Sequence, residues 1–135
     1  MANFESFMVT THEFKVKDPE AFIKKLREIG AEDGDANGCD GLSYFRNQDG
    51  TFWLGGYGAD MTWYNEKANE NEALDPIVQE HIAPGEYASF QVVGYEKLRH
   101  VSGWVVVITE KGSEYRDLDQ VEAELKEKLG VQTAA

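Results

Sequence analysis

Residues 52–57, Phe52-Trp53-Leu54-Gly55-Gly56-Tyr57 ("FWLGGY"), decide how the whole chain is read. In a strand, successive side chains point to opposite faces, so Phe52 and Leu54 go one way and Trp53 and Tyr57 the other. Such a strand carries large apolar groups on both sides. If helices cover only one face of its sheet, the other face carries exposed aromatics, and those form an interface.

Upstream, "LSYFRN" is joined to this strand through Gln48-Asp49-Gly50, a hairpin signal. Further back, "FMVTTHEFKV" has the β-branched and aromatic content of a strand from about Phe7 to Val16. Asp18-Pro19 then predicts a helix, with Asp18 as N-cap and Pro19 at the first helical position. Phe22, Ile23, Leu26 and Ile29 make its apolar stripe, and Gly30 stops it.

Downstream, residues 65–82 read as helical, divided at Asp75-Pro76, where the proline starts a second short helix. "EYASFQVV", "KLRHVSG" and "WVVVITEKG" follow as strands. Trp104 to Ile108 are five successive apolar residues, which marks an interior strand with both faces to cover. The last helix, "DLDQVEAELKEKLG", opens on Asp117 and Gln120 at capping-box spacing, with Leu118, Val121, Leu125 and Leu129 as its stripe. The expected order is β-α-β-β-α-β-β-α. It implies a single acidic α+β domain over residues 1–135, an antiparallel sheet with helices packed on it and a ferredoxin-like flavour.

With 41% hydrophobic and 12% aromatic residues among 135, the chain can build a real core. No apolar run approaches the ~20 residues of a membrane span, and the N-terminus lacks signal-peptide character. Cys39 is the one cysteine, so an internal disulfide framework is excluded. A soluble, cytoplasmic protein is expected. The net charge of −12 is spread along the whole chain, as −5 over residues 1–60, −4 over 61–100 and −3 over 101–135. A surface of that sign argues against direct binding to nucleic acid or anionic membrane, which require clustered Lys and Arg.

The run "EDGDANGCDG" begins like a calcium loop at Asp33, Asp35 and Asn37. Position 12 of that loop is Tyr44, however, where a bidentate Glu is needed. Asp33, Asp35, Asn37 and Asp40 offer four side chains to an ion that takes six to eight oxygens, so the run reads as an acidic turn. The histidines match no metal spacing, Cys39 sits among carboxylates that disfavour its thiolate, and "GGYG" lacks the ending of a phosphate loop. No cofactor, metal or catalytic residue is assigned.

One run combines anchors with charge. Trp53, Tyr57, Trp63 and Tyr64 precede Glu66, Glu70, Glu72 and Asp75, with only Lys67 opposing. Aromatics beside carboxylates suit a partner-binding patch. The expectation is a non-enzymatic module for a protein partner with a basic surface. One form would be a stoichiometric inhibitor of phage or plasmid type that mimics nucleic acid in a basic groove. The alternative is a small enzyme or small-molecule-binding domain with a pocket between sheet and helices; a third reading is a weak calcium-binding module. A homo-oligomer is compatible with each.

Overall fold

The computed structural model describes residues 4–34, 41–57, 61–96 and 100–131. Alternating side chains build one sheet of seven strands in the order β2-β3-β4-β1-β7-β8-β9. These are β1 (Phe4–His12), β2 (Glu32–Asp33), β3 (Leu42–Arg46), β4 (Phe52–Tyr57), β7 (Ala88–Glu96), β8 (His100–Thr109) and β9 (Gly112–Asp117). All neighbours are antiparallel except the short β2–β3 pair. A separate hairpin, β5 (Thr62–Asn65) and β6 (Glu70–Ala73), stands apart from the large sheet.

Helices α1 (Pro19–Glu28) and α2 (Leu74–His81) lie over one face of the sheet. Asp18 caps α1 as its sequence predicts, accepting from the Ala21 N–H, and Gly30 follows the helix at φ +88°. Phe22 and Leu26 of α1 and Leu74, Ile77 and Val78 of α2 are buried. They meet Met8, Phe52, Leu54, Phe90, Val92, Val106 and Ile108 from the strands. Phe22 stands edge-on to Phe52, with ring centroids 5.1 Å apart. The core therefore lies between two helices and one side of the sheet, and α3 (Leu118–Lys128) contributes no buried residue to it. No helix among the described residues is long and apolar enough to cross a membrane.

The mixed α+β class stands, but the strand count exceeds the expected plan. Residues 65–73, expected as helix, form the far part of the β5–β6 hairpin. Turn chemistry outcompetes the helical pattern there: the Asn65 side chain accepts from the Ala68 N–H at 3.0 Å, and Asn69 takes φ +58°. Helix α2 does form around Pro76, beginning at Leu74. The two strands read between Lys97 and Gly112 are one long β8, and β9 is an addition. Strand β8 is interior, flanked by β7 and β9. Only one of its faces is covered, since Val106 is 1% exposed whereas Val105 and Val107 are 36% and 41% exposed. The apolar run was expected to need cover on both sides; within this chain it has cover on one.

The joint between the two halves of the sheet is polar. Strand β1 pairs with β4 only at Phe7–Tyr57, Met8–Gly56 and Val9–Gly55. There the ladder stops and the buried Thr10 hydroxyl takes over. It donates to the Leu54 carbonyl at 2.9 Å and accepts from the Leu54 N–H at 2.8 Å. The register against β7 shifts between Thr10 and His12, the mark of a bulge. Thr10→Val keeps the shape but strands two buried backbone groups, so it should cost about 1–3 kcal/mol. Thr10→Ser should cost less, because it keeps the hydroxyl. Urea unfolding of the two variants checks this; a Thr10→Val midpoint equal to wild type would show that the side-chain bridge is dispensable.

Candidate functional site

The face of the sheet away from α1 and α2 is where the site lies. Phe7 and Val9 of β1, Ser43 and Phe45 of β3, and Trp53, Gly55 and Tyr57 of β4 point to it by alternation. Phe7 is 41% and Tyr57 62% exposed. Between them runs a groove of about 320 Å³, lined by Phe7, Val9, Phe45, Trp53 and Tyr57 and floored by Gly55 and Gly56. Phe45 and Trp53 meet edge-to-face at 4.7 Å and form one wall.

Gly55 is what makes it a groove, and Gly56 beside it faces the other way. A Cβ at Gly55 would lie 2.9 Å from the end of the Trp53 ring, in the space the groove occupies. A Cβ at Gly56 would lie 2.6 Å from the Gly41 carbonyl oxygen, against backbone that cannot move aside. Among the described residues that line the groove, none carries a carboxylate, an ammonium or an imidazole. Ser43 and Tyr57 supply the hydroxyls. At its outer end, Glu13 lies beside Phe45 and Trp53, where it accepts from Asn47 at 2.6 Å and Thr51 at 3.2 Å. The arrangement offers an apolar slot with polar groups at its rim.

The eight sequence-selected residues do not form one surface. Trp53 and Tyr57 belong to the groove. Trp63 is half-buried against the core beneath the other face, while Tyr64 is exposed and bonded to Asn69. Glu66 and Glu70 are exposed at the hairpin turn, and Asp75 is half-buried in the first turn of α2, where burial raises its pKa. Glu72 is tied inward. It accepts from the Asn65 amide at 2.5 Å and binds Lys25 Nζ at 3.1 Å, and these hold its carboxyl below the ordinary 4.5.

A second depression between α1 and the hairpin is lined by Arg27, Glu28, Tyr64, Glu66 and Lys67. Its charges are mixed in sign, Arg27 and Lys67 beside Glu28 and Glu66, and Lys25 of α1 reaches Glu72 of the hairpin nearby. Sequence spacing could not show this. The signal for the groove residues missed in the sequence, Phe7, Val9 and Phe45, was the same period-two alternation that placed Trp53 and Tyr57.

Of the calcium-like run, Asp33 lies in β2, and Asp35, Asn37 and Asp40 lie outside the described residues. Among the described residues no group of three or more His, Cys, Asp or Glu could hold a metal ion. Comparison with protein-family profiles, curated proteins and solved structures finds no match to this chain.

The two glycines make contrasting predictions. Gly56→Ala should destabilise by about 1–3 kcal/mol, as overpacking against backbone does. Gly55→Ala should instead tip the Trp53 ring into the groove, changing tryptophan emission with little change in the unfolding midpoint. Equal destabilisation by both would show that the Trp53 ring is as rigid as the backbone.

The hairpin tether predicts a pH dependence. A carboxylate whose folded pKa lies below its unfolded value stabilises the fold above the unfolded value and loses that contribution as pH falls through the folded one. Glu72→Gln should therefore lower stability at neutral pH and have little effect near pH ~2, where both forms are uncharged. Denaturant unfolding at the two pH values checks it; an equal loss at both would assign the effect to packing.

Proposed function

We propose that this chain is a protein-binding module whose working surface is the aromatic groove on the open face of the sheet. The observation that carries the reading is a glycine-floored slot walled by Phe7, Phe45, Trp53 and Tyr57, with no charged lining among its described residues. At about 320 Å³ it stands at the low end of the ~300–1,000 Å³ range of small-molecule sites. It suits one aromatic or branched anchor side chain of a partner. Rigid aromatics supply contact area at low entropic cost, which is how a few residues come to dominate an interface.

The partner carries basic groups around that anchor. The chain is −12 overall, and Glu13 stands at the groove's end. Carboxylates spread over an acidic protein attract a basic partner through the summed field and speed encounter. A basic nucleic-acid-binding groove with an apolar residue at its centre is one surface of this kind. The Glu66–Asp75 segment contributes to the field and not as a separate docking patch, since Lys25, Arg27 and Lys67 interleave with it. We read the stretch β3-β4-β1-β7 as a ferredoxin-like unit. In it β1–α1–β3 and β4–α2–β7 are two interleaved crossovers, extended by β8 and β9.

The test is a fluorescence titration with short peptides that place Phe or Leu between lysines. Trp53 at the groove wall is the reporter. Binding should weaken as salt rises, because screening acts within ~10 Å at 0.1 M. Replacing the anchor by Ala should abolish it, and Trp53→Ala should raise Kd at least tenfold, chiefly through faster dissociation. Reversing Glu66 and Glu70 to Lys should slow association only. Binding indifferent to the anchor would overturn the groove as the working surface; binding of free indole or phenol as tightly as the peptides would favour a small-molecule site.

A further inference from the structure

We infer that the outer end of the aromatic groove is a seat for one lysine of the partner, placed two residues from the anchor. This rests on the groove being the anchor site and names the residue that stands beside the anchor. The seat is a depression of about 340 Å³ lined by Glu13, Phe45, Asn47 and Trp53. Phe45 and Trp53 also line the groove, so one edge-to-face pair of rings divides the two spaces.

Glu13 is exposed, yet the turn between β3 and β4 holds it. Its Oε2 accepts from the Asn47 amide at 2.6 Å and from the Thr51 hydroxyl at 3.2 Å. The turn is braced in its own right. The Asn47 N–H donates to the Thr51 carbonyl at 2.9 Å, the Asn47 amide to the Thr51 hydroxyl at 2.9 Å, and the Thr51 N–H to Asp49 at 2.9 Å. A glutamate on a free stem loses rotamer freedom when it binds, and one already held binds at lower cost. The other oxygen, Oε1, has no partner among the described residues. Lys15 acts electrostatically on Asp49 of the same turn and makes no ion pair with Glu13.

Chemistry and spacing choose the occupant. A carboxylate oxygen beside two aromatic rings suits a cation on an apolar stem, with the charge at Oε1 and the methylenes along the rings. Arginine gains most when its fork meets both oxygens of a carboxylate. Here Oε2 faces Asn47 and Thr51, and an ammonium needs only the oxygen that remains. The Phe14–Phe52 bridge sets Glu13 level with Trp53. Trp53 lies one two-residue step, ~6.8 Å, along β4 from Gly55 on the groove floor. In an extended peptide whose anchor sits over Gly55, the side chain two residues along reaches Glu13.

Fluorescence titration with uncharged peptides tests this, each carrying one leucine anchor and, two residues to either side, lysine, arginine or norleucine. In one of the two placements, lysine should bind about fivefold more tightly than norleucine at low salt, and more tightly than arginine. Glu13→Gln keeps an oxygen for Asn47; it should remove the lysine advantage and leave norleucine binding unchanged. Asn47→Ala releases Oε2 and should narrow the gap between lysine and arginine. Equal binding of lysine and norleucine in both placements overturns the inference, as does arginine binding more tightly than lysine. Equal weakening of the lysine and norleucine peptides by Glu13→Gln also overturns it. In each of those cases, loss of binding when the leucine is replaced by alanine leaves the groove standing as the anchor site. Binding indifferent to the leucine overturns both.

Discussion

Strand β1 is the constraint on which the rest depends. Among the described strands it alone is paired with both halves of the sheet, with β4 on one side and β7 on the other. The two joints differ in kind. Against β7 the ladder runs almost the full length of the strand; against β4 it covers three residue pairs and is then continued by one hydroxyl. Beside that second joint, Gly56 on the helix side lets β4 approach the backbone of Gly41 and Leu42, while Gly55 on the open side leaves space beside the Trp53 ring. Two adjacent glycines thus serve the sheet's closure and the candidate site from opposite faces.

A seven-stranded sheet is wide for two short helices. Helices α1 and α2 bury the middle of one face, with Phe22, Leu26, Leu74 and Val78 all at 0% exposure. Among the described residues nothing comparable covers the other. The open face divides along its length, with aromatics over glycine at one end and β-branched residues beside an uncovered helix at the other. Those two textures suit different occupants. A concave slot discriminates by shape, whereas a flat aliphatic surface gains mainly from area.

Local signals in the sequence were readable where a single residue type has a single mechanism. Asp18 before Pro19, Gly30 after the stripe, and Asp117 with Gln120 each fix a helix end through one hydrogen bond or one backbone conformation. The alternation in Phe52–Tyr57 separated core from open face correctly at every position with a large side chain. What failed was competition between patterns. Residues 65–73 carry helix-favouring Glu, Lys and Ala, but Asn65 and Asn69 close a turn through tertiary and local bonds that a periodicity count does not weigh. The site was half legible for a related reason. Proximity along the chain suggested that Trp53 and Glu66 act together, yet the chain between them crosses from the open side of the sheet to the helix side. Lys25 and Arg27, which alter the charge there, lie some forty residues earlier.

The position of β1 also bears on how the chain folds. It precedes both of its sheet neighbours in the chain, and its bonds to Leu54 close over 44 positions and its contact with Ser89 over 78. Strands β7, β8 and β9 pair with near neighbours in the chain, so their contacts cost less loop entropy than those of β1. Like charge spread along the whole chain also repels one such chain from another wherever sheet edges are bare.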